Sequence, residues 1–172
     1  MSKYITIKDE RDNLDGLYDK IEKLEKMEIR IGIFAEDSSF LLMIARVHEF
    51  GTKIEVTPKM RAYLHAKGLH LRADTQYINI PERSFVRSTA DEDKSLISDI
   101  GRDYLKDYLM DEISFKDFTS LLGEDLADIV KENMFDLNDP ANHPFTIEQK
   151  GHDDPLVDKS NLLDGITYKV VI

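Results

Sequence analysis

Hydrophobic positions along the first thirty-five residues change period once, and the change marks two elements. Between Arg11 and Met27, Leu14, Leu17, Tyr18, Ile21, Leu24 and Met27 recur at spacings of three and four with charged residues between them, which predicts an amphipathic helix. From Glu28 to Ala35 the period drops to two. Ile29, Ile31 and Ile33 alternate with Arg30, Gly32 and Phe34, and β-branched residues on alternate positions predict a half-buried strand. Ser38 or Ser39 can cap a second helix running to Phe50, with Phe40, Ile44 and Val47 on one face and Gly51 as the left-handed residue that ends it. This short helix is expected to pack on the sheet.

The pattern weakens from Thr52 to Asp74, where Pro58 breaks it, a short helix over Lys59 to Ala66 is feasible, and Gly68 opens a polar, basic stretch. An insertion or projecting arm is expected there. Gln76 to Ile80 reads as a strand that stops at Pro81, which has no N–H for a ladder. After an extended link, Asp91 to Met110 carries Ile97, Ile100, Tyr104 and Tyr108 on one helical face. Ser114 with Asp117 can cap a further helix through Phe135, whose face holds Phe118, Leu121, Leu122, Leu126, Ile129 and Val130. Residues 136–160 read as irregular, with Asn138, Asp139, Pro140, Pro144, Gly151 and Pro155. Gly165 to Ile172 alternates again, as a closing strand. The expectation is one α+β domain over residues 1–172. A small mixed or antiparallel sheet, from about residues 28–35, 76–80 and 165–172, is covered by amphipathic helices, with residues 52–74 projecting.

Composition narrows the chemistry. The 172 residues are 41% hydrophobic, enough for a core, and contain neither cysteine nor tryptophan, so disulfides, thiolate nucleophiles and thiolate metal sites are excluded. No apolar leader is visible in the first 30 residues and no run reaches the roughly 18 apolar residues of a membrane span; the expected compartment is the cytoplasm, with no membrane partner. The net charge is −11 and unevenly placed: residues 1–90 hold 15 basic and 14 acidic side chains, residues 91–172 hold 8 and 20. Within residues 53–87, Lys53, Lys59, Arg61, Lys67, Arg72, Arg83 and Arg87 stand against only Glu55, Asp74 and Glu82. A basic middle and an acidic end can attract each other between copies, whereas a sequence-wide basic surface for nucleic acid is absent.

No catalytic motif stands out. His48 and Glu49 share a helix, but a zinc-protease pair needs a second histidine at position 52, which is threonine. His65 and His70 are five apart with no acidic residue between them, and the His152, Asp153, Asp154 cluster lacks the spaced ligands of a calcium loop. The glycines are scattered singly, so no phosphate loop or serine elbow forms. A metal, a cofactor and an enzyme activity are therefore not expected.

Three phrases remain, in order: Ala45-Arg46-Val47-His48-Glu49-Phe50-Gly51-Thr52, then Ile80-Pro81-Glu82-Arg83-Ser84-Phe85-Val86-Arg87, then Pro155-Leu156-Val157-Asp158 before Leu162-Leu163-Asp164-Gly165-Ile166-Thr167-Tyr168-Lys169-Val170. Together they resemble a family of tailed-bacteriophage morphogenesis proteins, the neck or tail-completion components also known as minor tail proteins. The family pattern has a helix ending in a His-Glu-Phe-Gly-like phrase, an Ile-Pro-x-Arg-x-Phe-x-Arg phrase, a long helix, and a Pro-Leu-Val-Asp-Thr-Gly-x-Leu phrase before a final strand. The resemblance covers residues 29–172, with two departures. Lys159-Ser160 stands in place of Thr-Gly, and residues 111–135 lengthen the helical region.

The resemblance implies a structural virion protein, assembled in the bacterial host cytoplasm, that acts without a chemical step. It would form a homo-oligomeric ring, hexameric or a multiple of that, at the head-proximal end of a phage tail or tail-like particle. Its partners would be further copies and tail-tube, terminator, sheath or head-connector proteins, with DNA at most passing through the lumen. Interface candidates are His48, Glu49, Arg61, Arg72, Arg83, Arg87 and Asp158, and structural anchors are Gly51, Pro81 and Phe85. A plainer reading stands beside each: Gly51 as a helix stop, Phe85 as a core residue, Arg83 and Arg87 as solvated charges, Asp158 as a turn cap. The runner-up of a different class is a cytoplasmic adaptor that binds a basic partner through the acidic helical half.

Overall fold

A computed structural model describes residues 11–151, 156 and 161–172. Along the chain they form α1 (Arg11–Lys26), β1 (Glu28–Gly32), α2 (Ser39–Phe50), β2 (Thr52–Glu55), α3 (Pro58–Ala66), β3 (Tyr77–Ile80), α4 (Val86–Glu92), α5 (Lys94–Leu109), α6 (Phe115–Asp136), α7 (Pro144–Lys150), α8 (Asn161–Asp164) and β4 (Thr167–Val171). The fold is α+β.

Local sequence explains the helix starts. Ser114 Oγ accepts from the Asp117 N–H at 3.1 Å while Asp117 reaches back to Ser114, a reciprocal cap at the start of α6. Ser38 caps α2 by accepting from the Leu41 N–H, and Thr57 caps α3 ahead of Pro58. α5 begins only at Lys94, because the stretch after Phe85 coils into α4 rather than running extended, and Asp93 separates the two helices. The irregular region likewise contains α7, with His143 as its N-cap and Pro144 at its first position.

The single sheet expected from three strands is instead two separate pairs. β1 and β4 are antiparallel, with Ile29 opposite Val170 and Ile31 opposite Tyr168. β3 pairs with β2, Ile54 opposite Ile78, and so does not join them. β2 lies within the stretch read as an arm. Residues 52–82 contain no buried side chain, so β2, α3 and β3 make a strand–helix–strand excursion that contributes nothing to the core.

α6 lies across β1 and β4 and carries the core. Gly123 permits the close approach: a Cβ there would lie 2.3 Å from the Tyr168 ring. Toward its N-terminal end, Phe118 and Leu122 pack with Tyr108 of α5, with Leu24 and Met27 from the end of α1, and with Ile29. Toward its C-terminal end, Val130 and Met134 pack with Ala45, Phe85, Leu156, Leu162 and Ile166. α2 turns Ala45 and Glu49 inward and leaves Phe40 64% exposed. The apolar face drawn through Phe40 is therefore divided: Ile44 packs on the core and Phe40 faces solvent.

Candidate functional site

α4 starts without a cap of its own. Phe85 occupies the N-cap position and has no side-chain oxygen, so the first N–H groups of the helix need an acceptor from elsewhere. Glu49 of α2 supplies it. Its Oε2 accepts from the N–H groups of Phe85 and Val86 at 2.9 and 3.1 Å, and its Oε1 accepts from the Arg87 N–H at 3.0 Å and from Ser84 Oγ at 2.7 Å. The residue is 7% exposed. Burial pushes its carboxyl pKa up, but the hydrogen bonds from Ser84, from the Val86 and Arg87 N–H groups and from the Arg87 side chain outweigh it and hold the group below its ordinary value.

Arg87 closes over this junction. Its Nε donates to Glu49 Oε1 at 3.1 Å, its Nη2 donates to the Glu49 carbonyl and to Glu82 Oε1, each at 2.7 Å, and the guanidinium sits 4.8 Å from the centre of the Phe50 ring. Arg83 is buried. Its N–H donates to the His48 carbonyl at 2.8 Å, its Nε to the Pro140 carbonyl at 2.8 Å and its Nη2 to the Ala141 carbonyl at 3.1 Å. Both arginines make contacts within the chain: Arg83 pins residues 140–141 against the end of α2, and Arg87, half-exposed, ties α2 to α4.

The anchors sit within the same junction. Gly51 has φ 62° and ψ 169°, which places it at positive φ though outside the left-handed helical region. A Cβ there would lie 2.8 Å from the Glu82 N and 3.0 Å from the Ile80 O, so the position needs glycine both for its backbone angle and for its neighbour. β3 stops at Ile80, directly before Pro81, and Phe85 is 1% exposed in the core. His48 Nδ1 is buried without a hydrogen-bond partner, and burial, with the Arg83 and Lys150 charges, lowers the imidazole pKa to about 4.

The other expected residues lie apart from this junction. Arg61 donates to the Arg72 and Thr75 carbonyls at 2.8 and 2.6 Å, bracing the loop after α3, so it too acts within the chain. Arg72 is exposed and pairs with Asp74 at 3.5 Å. Asp158 lies outside the described residues, as do the His152, Asp153, Asp154 cluster and the Lys159-Ser160 turn; of the phrase before them, Leu156 is buried in the core. His65 and His70 do meet, Nδ1 to Nδ1 at 2.7 Å, because α3 ends and the chain reverses at Gly68. Among the described residues no group of three or more His, Asp or Glu side chains could hold a metal ion, and no helix is long and apolar enough to cross a membrane.

Sequence reasoning missed the capping role of Glu49 and the burial of Arg83. No local signal pointed to the first, because residues 85–87 read as an extended link and the start of α4 carries no capping side chain of its own. Two hollows adjoin the junction, the first apolar and the second lined by polar as well as apolar side chains. One, of about 250 Å³, lies between β1, α2 and α4 and is lined by Ile31, Ile33, Leu42, Phe85 and Val86. The other, a groove of about 480 Å³, runs along the outer side of α2 past Met43, Arg46, Val47 and Phe50. Compared with known protein families, curated proteins and solved structures, the chain matches none.

Proposed function

We propose that this protein is a structural subunit of a phage tail or phage-tail-like particle, one that assembles into a ring at the head-proximal end as a neck or tail-completion component. The observation that carries the reading is the interlock around Glu49. The two phrases that bear most of the resemblance, His48 to Gly51 and Pro81 to Arg87, are separated by 29 residues of chain yet form one junction through the Glu49 carboxylate, Arg87 and the Gly51–Glu82 approach. Residue types that look arbitrary in sequence have one physical reason in common, the fixing of α2 against α4. That is what an assembling protein needs, since its working surface is its shape, and no chemical step is invoked.

The test is assembly. Electron microscopy and mass measurement of the purified chain, alone and co-produced with tail-tube and connector proteins, should show a discrete ring or its incorporation at one end of a tube. A monodisperse monomer in both preparations sinks the proposal. Capture of a basic protein by that monomer would favour the adaptor function.

A further inference from the structure

Among the described residues two helices leave most of an apolar stripe exposed, and the stripes match. On α1, Leu14, Leu17 and Ile21 are 54%, 38% and 39% exposed and lead to the half-buried Leu24, with Tyr18, 70% exposed, beside them. On α2, Phe40, Met43 and Phe50 are 64%, 53% and 59% exposed, with Val47 completing the row. Both rows have spacings of three, four and three, the repeat that lets two helices pack along a shared seam. Both span about 15 Å, ten residues at 1.5 Å each.

The flanks are complementary. Beside the α1 stripe stand the exposed Glu22 and Glu25, the latter with no ion-pair partner among the described residues. Beside the α2 stripe stands the exposed Arg46, also without an ion pair among the described residues. The C-terminal end of α1 is held by its own chain, since Lys20 donates to the Tyr108 and Leu109 carbonyls at 3.1 and 3.0 Å and Leu24, with Met27 just beyond the helix, packs near Phe118, so the open part of the stripe is Leu14, Leu17 and Ile21. α2 packs at the other end of α6, near Val130 and Met134. Phe118 and Val130 are about 18 Å apart along that helix.

We propose that α1 of one copy docks in the groove along α2 of the next, with Glu22 and Glu25 facing Arg46; this rests on the assembly reading above and names its contact. The patches are different and lie at opposite ends of the core, so each docking leaves one of each kind free, the condition for a closed ring or an open filament rather than a two-fold dimer. A three-turn helix pair buries less than the roughly 800 Å² per partner of a standard interface, so the contact is concentration-dependent.

Sedimentation velocity of the full chain over a wide concentration range tests this with two variants, Leu14→Asp and Met43→Asp. Each changes an exposed residue, so thermal unfolding should match the parent; Tyr18→Asp and Phe40→Asp serve if it does not. The parent should associate beyond dimers, each variant alone should weaken association at least tenfold, and an equimolar mixture should form a one-to-one pair and nothing larger. That pair arises because the Met43→Asp chain keeps an intact α1 and the Leu14→Asp chain an intact α2. Normal assembly by both variants overturns this contact and leaves the ring reading standing. A parent that stays monomeric at every concentration and on its tail partners overturns both.

Discussion

Phe85 stands where a helix cap belongs, and Glu49, from a different helix, does the capping with two oxygens and five hydrogen bonds. Glu49→Ala leaves the N–H groups of Phe85, Val86 and Arg87 without that acceptor in a poorly hydrated place, so the loss should be about 2–4 kcal/mol. Glu49→Gln keeps one carbonyl oxygen and should lose less; equal losses in chemical denaturation would show that charge, not acceptor geometry, holds the junction. His48 adds a pH term. Its folded pKa of about 4 lies below the ordinary 6.5 because of burial and of the Arg83 and Lys150 charges that face it. The neutral ring is favoured by folding, so this stability is complete above pH 6.5 and is lost as pH falls toward 4. Between pH 7 and pH 5 the loss should be about 2 kcal/mol, and His48→Leu should remove that part of the slope. Glu49, held low as well, adds a loss at more acid pH. Identical pH slopes for the parent and His48→Leu count against the buried neutral imidazole. Arg83 shows the limit of reading single residues: its acceptors are carbonyls of residues 140 and 141, and nothing in the amino-acid types there announces them.

The longer helices were legible from local signals, whereas α7 was not, although His143, Pro144 and Gly151 bound it, because seven residues carry too little apolar periodicity. Ser114 with Asp117, Ser38 ahead of the α2 run, and the three-and-four spacing of α1 each lie within a few residues of what they specify. Pairing was not legible, because β1 meets β4 across more than 130 residues and two short strands of alternating residues look equally ready to join any edge. β2 is the clearest case: Thr52 to Glu55 exposes alternate side chains and buries none, so its sequence carries no core signal. In the site, Gly51, Pro81 and Phe85 could be picked out because glycine, proline and a lone aromatic restrict the backbone or demand burial. The arginines could not be placed, since the same side chain serves equally on a surface or against buried carbonyls. The packing of α6 on the sheet is testable at Gly123, where a Cβ would meet the Tyr168 ring at 2.3 Å. Gly123→Ala should cost about 1–3 kcal/mol through overpacking, although alanine is the better helix former by about 1 kcal/mol. An unchanged or raised melting temperature would mean that α6 and β4 are not seated this closely. Phe85→Ala, at the other end of the core, should cost roughly 3–5 kcal/mol.

At the scale of the molecule, the described chain divides into a core strung along α6 and an excursion that buries none of its own residues, 52–82. The basic charge assigned to this excursion is smaller in effect than a count suggests, because Arg61 is held by carbonyls of its own loop and Lys53 lies over the Tyr77 ring at 4.3 Å. Arg72, 86% exposed at its side chain, remains available. If the excursion serves an interface rather than the core, its outer part can be removed without unfolding the protein. The ladder of β2 and β3 closes with the Val56 N–H donating to the Gln76 carbonyl at 2.8 Å, so residues 57–75 can be replaced by an Asn-Gly turn that joins two already paired strands. No buried apolar side chain is lost, and the shorter loop lowers the entropy of closure by only about 1–2 kcal/mol. The shortened protein should therefore melt within a few degrees of the parent. Its assembly should weaken if the excursion orders against a neighbour, and protease cleavage within 57–75 of the parent should then be slower in assembled material than in the free chain. A large drop in melting temperature would place the excursion in the folding unit, and unchanged assembly would leave the α1 and α2 stripes as the sole contact between copies.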